Sequence, residues 1–223
     1  MNKNENHTSI VETIIGYIFK DKELLLRALT HASLDGPNYE RLEFLGDRVL
    51  GLIIADILFR KYPDEKEGAL AKRFSALVRG QTLAQIGKEI NIAPYILFSE
   101  TDQSAQGTDN ENIIADVMEA LLGAMYLDGG LTPCQTMIER YWDDRVETMT
   151  KPPQDPKTEL QEWAQALGKG TPTYEIVKRE GPDHAPEFTI EVTVKGLDPQ
   201  QAKASNRRQA EKDAARKLLK TVR

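Results

Sequence analysis

The stretch Glu40-Arg41-Leu42-Glu43-Phe44-Leu45-Gly46-Asp47 holds three carboxylates. At the angular step of a helix, Glu40, Glu43 and Asp47 fall on one stripe about 60° wide. The chain continues as RVLGLIIADILF (48–59), apolar on nearly every side, the pattern of a buried helix. One turn further on, the same stripe holds Leu50, Gly51 and Ile54. Carboxylates aligned at the edge of a core repel one another and lose hydration, so something must compensate them. Arg41 and Arg48 are sequence neighbours but lie off the stripe. The other compensator is a divalent cation, and hard oxygen donors suit Mg2+ or Mn2+.

A second pair, Asp116 and Glu119, sits in ADVMEAL (115–121), on one face of another apolar helix. Glu67 follows the acidic Asp64 and Glu65. One acidic pair at helical spacing is most often a solvated face. Two such groups, each on an otherwise apolar helix, point to a shared task. Glu43 and Asp47 are one turn apart, about 6 Å of rise, so both can reach one ion, with Asp116 and Glu119 reaching it from the opposite side. Glu40 lies about 10 Å along the axis from Asp47, a place for a second ion, a water or the substrate. No nucleophilic Ser or Cys constellation is evident. Cys134 has no His near it in sequence, and the chain has three His in all.

These acids need a helical frame. Segments 21–32, 40–62, 66–90 and 110–127 carry apolar residues at three- and four-residue spacing and predict an all-α domain over 1–150. TMTKPPQDP (148–156) then has three prolines in nine residues, and 151–156 reads as a stiff linker. Beyond it, 157–223 reads as a small α+β domain of order α-β-β-β-α. Its helices span 158–167 and 206–220, and its strands 173–180, 187–195 and a weaker 200–204. Gly181-Pro182 and Leu197-Asp198-Pro199 mark the turns. Residues 156–223 hold 13 Lys/Arg against 10 Asp/Glu, whereas 1–155 hold 16 against 25. An acidic body with a basic tail suggests two domains with different tasks. No run of 18 apolar residues exists, so no membrane span is expected, and the polar N-terminus lacks a secretory signal. A single cysteine suits the reducing cytoplasm.

The blocks ERLEFLGD (40–47), LTHAS (29–33), EGALAKRFSALVRG (67–80) and ADVMEALLGAMYLDGG (115–130) closely resemble those of the ribonuclease III family. The resemblance runs from about residue 9 to 220, in the bacterial order of an endonuclease domain followed by a double-stranded RNA-binding domain. It implies that Glu43, Asp47, Asp116 and Glu119 bind metal. Asp47 and Glu119 would also be catalytic, with Glu40 and Glu67 as further active-site acids. It implies a homodimer, with Phe44 entering the partner subunit; an ordinary core phenylalanine is the alternative reading of that residue. It further implies Mg2+ (Mn2+ substituting) with no organic cofactor, and cleavage of both strands of duplex RNA. The ends are 5′-phosphate and 3′-hydroxyl with a short 3′ overhang, in processing of rRNA precursors and some mRNAs and tRNAs. Metal ions suit this chemistry because they lower the pKa of water and steady the attacking and leaving oxygens of a phosphodiester.

A-form RNA hides its bases, so it is read through shape, 2′-hydroxyls and phosphates. Gln161, Glu162 and Gln165 on the first helix suit 2′-hydroxyls. The Gly181-Pro182-Asp183-His184 turn matches the family loop that enters a minor groove. Asn206, Arg207, Arg208 and Lys212 at the last helix's start suit phosphates. One departure stands out: SETDQSAQGTDNEN (99–112) has no Lys or Arg, where many family members carry basic residues. Two other readings compete, a non-catalytic double-stranded RNA-binding protein and an acidic helical scaffold. The intact acid set weighs against the first and the basic tail against the second.

Overall fold

Two compact units divide the chain, Met1–Pro153 and Gln154–Arg223. The structure, a computed structural model, describes residues 3–99, 110–182 and 185–222. In the first unit, α1 (Lys3–Ile15), α2 (Lys22–Leu29), α3 (Glu40–Lys61), α4 (Glu67–Leu77) and α5 (Gly80–Glu89) precede a 3-10 turn at Ala93–Tyr95. Then come α6 (Glu111–Gly129) and α7 (Leu131–Thr148). Asp21 and Asn110 begin α2 and α6 as N-caps, their side chains accepting from the Glu23 and Asn112 amides at 3.0 Å each.

The core is built around α3 and α6. Leu50, Ile53, Ile54 and Leu58 of α3 are fully buried, as are Val117, Met118, Leu121 and Leu122 of α6. Each such side chain contributes about 1.5–3 kcal/mol of burial. Trp142 of α7 closes one end, its indole donating to the Leu77 carbonyl at 3.0 Å.

Three features differ from the sequence reading. The segment 66–90 is two helices: Arg79 turns extended (ψ 146°) between α4 and α5, and Thr82 Oγ1 donates to the Ala76 carbonyl at 2.8 Å. α1 and α7 occupy stretches with no assigned periodic segment. Nor is α3 buried all round. Phe44, Leu52 and Phe59 are 68%, 60% and 73% exposed, and with Arg48 they line one face. Phe44 is therefore not a core residue.

Arg73 is completely buried on α4. It holds Glu65 through both nitrogens of its fork, at 2.8 and 2.6 Å. It also stacks on Tyr62 at 3.8 Å and donates to the Met149 carbonyl. The paired charges justify its burial and fix the turn from which α4, and Glu67 at its start, emerges.

In the second unit α8 (Pro156–Ala166) and α9 (Arg207–Thr221) pack on an antiparallel sheet of order β1-β2-β3. Its strands are Thr173–Glu180, Glu187–Thr193 and Gln200–Ala204. Tyr174 pairs with Val192, Ile176 with Ile190 and Ile190 with Ala202, with an irregularity between Ile176 and Lys178. Leu160, Ala164, Val192, Val194, Ala202, Ala214 and Leu218 form its core. The weak third strand is a full member of the sheet. Its sequence, QQAKA, reads poorly because only Ala202 is buried. The order is the α-β-β-β-α expected after an all-α unit.

Candidate active site and nucleic-acid interface

The acids of α3 and α6 meet because two glycines let the helices cross closely. A Cβ on Gly46 would fall under 3.0 Å from the Glu119 carbonyl oxygen, and one on Gly123 under 3.0 Å from the Leu42 carbonyl oxygen. The contact is reciprocal: Gly46 and Gly123 each fit against the backbone one turn before the other. Glu43 and Asp47 flank Gly46, while Asp116 and Glu119 precede Gly123 on the opposing helix.

The charges of these groups act on one another. Burial, then the charges of Glu43 and Asp116, push Glu119 up to about 7, with Arg48 opposing the rise. Burial, then Asp116 and Glu40, raise Glu43. Burial raises Asp116, partly offset by a hydrogen bond from Tyr39 and the nearby His31. These three carboxylates carry more negative charge than their surroundings compensate. Asp47 instead forms an ion pair with Arg48, so this arginine, off the stripe in sequence, supplies counter-charge after all.

Tyr39 ties the halves together. Its carbonyl accepts the Glu43 amide at 2.9 Å, starting α3, and its own amide donates to the Thr30 carbonyl at 3.0 Å. The buried phenol bonds Asp116 and is itself pushed up to about 12 by burial and by Asp116, Glu43 and Glu40. His31 packs on Tyr39 edge-on at 5.6 Å and on Phe98 at 4.9 Å, and its Nδ1 accepts the Ser33 amide at 3.1 Å. Sequence reasoning assigned neither residue a role, though His31 lies within the singled-out LTHAS block.

Glu40 is exposed but acts on Glu43 and Tyr39, so it belongs to the cluster's rim. Glu67, exposed at the start of α4, is not among the charges acting on Glu43, Asp116 or Glu119. Among the described residues, no three His, Cys, Asp or Glu side chains converge closely enough to hold a metal ion as they stand. In kind, the donors fit one. Hard carboxylate oxygens from two helices, short of positive charge, are a set that a divalent cation would draw together. Cys134 is fully buried and its thiol is pushed up to about 12 by burial, which leaves it inert.

On the second unit Gln161, Glu162, Gln165 and Pro182 are all exposed. His184 lies outside the described residues, as does most of the 99–112 stretch. Asn206 serves as the N-cap of α9, its side chain accepting the Gln209 amide at 2.8 Å, a structural task the sequence reading did not give it. Arg208 is exposed, with no ion pair among the described residues. Arg207 and Lys212 are engaged, with Glu211 and Asp155 respectively, at 2.8 Å each.

Two family models match the chain: Ribonuclease-III-like over residues 21–144 and Double-stranded RNA binding motif over 156–222. The chain is 46% identical to Ribonuclease 3 of Caulobacter vibrioides over 215 residues, spanning 94% of this chain and 93% of that one. It is 45% identical to Ribonuclease 3 of Jannaschia sp. over 208 residues, 92% of each. The nuclease domain of ribonuclease III from Campylobacter jejuni superposes with a TM-score of 0.59 at 37% identity, over 65% of this chain and 97% of that one. Acids meeting at a glycine crossing and an α-β-β-β-α unit downstream thus have one explanation: the chain belongs to the ribonuclease III family and is an endoribonuclease with a double-stranded RNA-binding domain.

Proposed function

We propose that this endoribonuclease cuts duplex RNA by divalent-metal-assisted phosphodiester hydrolysis, using Mg2+ with Mn2+ as substitute. It leaves 5′-phosphate and 3′-hydroxyl ends with a short 3′ overhang. Its substrates are rRNA precursors and some mRNAs and tRNAs, in the cytoplasm. The observation that carries this reading is the crossing at Gly46 and Gly123, which sets Glu43 beside Asp116 and Glu119 with their charge under-compensated.

Glu43, Asp47, Asp116 and Glu119 would hold the cation. A cation held there would lower the pKa of a bound water and offset negative charge developing on the phosphodiester oxygens. The chain's own residues do the rest. Tyr39, hydrogen-bonded to Asp116 and packed against His31, would hold that carboxylate in place, as partners of a ligating carboxylate do. Arg48, paired with Asp47, is a cation close enough to meet a phosphate at the rim. Glu40 and Glu67, outside the four-acid group, are assigned to substrate or a further ion.

The protein works as a homodimer. The apolar face Phe44, Leu52 and Phe59 on α3 is too exposed for a solitary helix face, and a Campylobacter jejuni relative has a nuclease-domain region involved in dimer formation. Incubation of a defined RNA duplex with Mg2+, followed by end-group analysis, tests the chemistry. Staggered cuts with 5′-phosphates are expected, and Glu119→Gln abolishes them. Intact duplex with the wild type would overturn it.

A further inference from the structure

Cations at a helix N-terminus oppose the helix dipole, yet both helices of the second unit begin with them. Lys157 opens α8, and Arg207 and Arg208 open α9, with Lys212 one turn further on. They are tied together by a buried carboxylate. Glu211 is 7% exposed, accepting Lys157 Nζ at 2.5 Å through one oxygen and Arg207 Nε at 2.8 Å through the other. Asp155 caps α8 through the Lys157 amide at 3.0 Å and binds Lys212 Nζ at 2.8 Å. Both helix starts, far apart in sequence, are thus drawn to one place. Lys157 Nζ also sits over the Tyr174 ring at 4.6 Å, and the buried Tyr174 hydroxyl has no hydrogen-bond partner among the described residues.

The geometry points to Glu211 as a positioning residue for RNA binding: it fixes Lys157 and Arg207 as one two-pronged phosphate grip, and so adds Lys157 to the RNA-binding face. The inference rests on duplex RNA being the ligand of this unit. Lys157 and Arg207 keep enough exposure to meet a phosphate while Glu211 stays covered. Burial alone would raise the Glu211 pKa, but the hydrogen bonds from Lys157 and Arg207 bring it below the ordinary value. It therefore stays charged and holds both cations at neutral pH. A fixed pair of cations loses less side-chain freedom on meeting an anion than two free ones.

The test inverts simple charge logic. Deleting a negative charge from an RNA-binding face should tighten binding if charge alone mattered. Full-length wild type, Glu211→Gln, Lys157→Ala and Lys157→Arg are titrated onto a perfect RNA duplex in EDTA across a salt series, with melting temperatures in parallel. Glu211→Gln should bind several-fold more weakly, and its log affinity against log salt should flatten by about one to two. Lys157→Ala should flatten the slope by about one, and Lys157→Arg should restore it. Tighter or equal binding by Glu211→Gln with an unchanged slope overturns the inference. So does an unchanged slope for Lys157→Ala, a result that remains decisive if Glu211→Gln fails to fold. Absence of salt-dependent binding by the wild type would instead defeat the RNA reading of the unit itself.

Discussion

Gly46 of α3 lies against the backbone carbonyl of Glu119 of α6, with no room for a side-chain carbon between them. A Gly46→Ala enzyme must spread the helices that carry both acid pairs. The expected outcome is a loss of about 1–3 kcal/mol of stability from overpacking. Cleavage should drop on the order of 100-fold, because a displacement near 1 Å is costly at a reacting centre. Gly51→Ala is the control: its Cβ would meet only the Phe74 ring at 3.5 Å, and helix propensity favours the change by roughly 0.5–1 kcal/mol. Urea denaturation and single-turnover cleavage of both variants decide it, and equal behaviour would remove the crossing from the mechanism.

Glu119 sets a pH dependence for the metal-free protein. Its folded pKa, about 7, stands above the ordinary value of 4.5. Below 4.5 both folded and unfolded chains hold the proton, so the group costs nothing. Between 4.5 and 7 the folded chain binds more protons than the unfolded one, so stability falls as pH rises. Above 7 the full penalty remains, roughly 3–4 kcal/mol from the shift alone and on the order of 2–3 kcal/mol once discounted for the solvent screening of a partly exposed carboxyl. Melting in EDTA at pH 5 and pH 8 should show this loss, and Glu119→Gln should flatten it. Adding Mg2+ at pH 8 should raise the melting temperature of the wild type more than that of Glu119→Gln. A pH-independent wild type would refute the assignment.

Phe44→Ala should separate association from folding. The ring is 68% exposed and contacts Arg48 at 5.3 Å, so its removal leaves the core intact. Loss of a buried aromatic anchor weakens a dimer by about 2 kcal/mol or more, roughly a 30-fold rise in Kd. Sedimentation equilibrium should report a shift toward monomer with unchanged circular dichroism. An unaltered mass distribution would exclude this face from the interface.

Charged and neutral groups on the proposed RNA-binding face should fail differently. Arg208→Ala and Lys212→Ala each should reduce the salt slope of duplex binding by about one. Gln161→Ala should leave the slope alone and instead erode the preference for RNA over DNA, since a neutral amide reads 2′-hydroxyls. Binding isotherms on matched RNA and DNA duplexes separate the two, and identical slopes throughout would cancel the phosphate assignments.

Much of this was legible in the residue pattern, and the gaps have physical reasons. That Glu43, Asp116 and Glu119 come together is legible because a carboxylate on an apolar helix is costly and therefore visible. The two glycines are hard to read from sequence because a close helix crossing leaves no periodic trace; its signal is one small residue on each apolar helix. Tyr39 and Glu211 were missed because their partners, Asp116 and Lys157, are distant in sequence. The break at Val78–Arg79 hid because apolar spacing runs through it, and β3 looked weak because an edge strand buries only one of its side chains, Ala202. For Phe44 periodicity alone keeps a core place open beside the interface that the resemblance implies, since it does not report which side of a two-faced apolar helix meets the rest of the fold.

The crossing of α3 and α6 joins positions 46 and 123, with α4, α5 and the 3-10 turn between them along the chain. Closing so long a loop costs entropy that only the assembled core offsets. The acids of α3 therefore stay without partners until α6 has been synthesised and docked. A chain still growing on the ribosome, itself largely RNA, would carry no assembled acid cluster until most of its first unit exists.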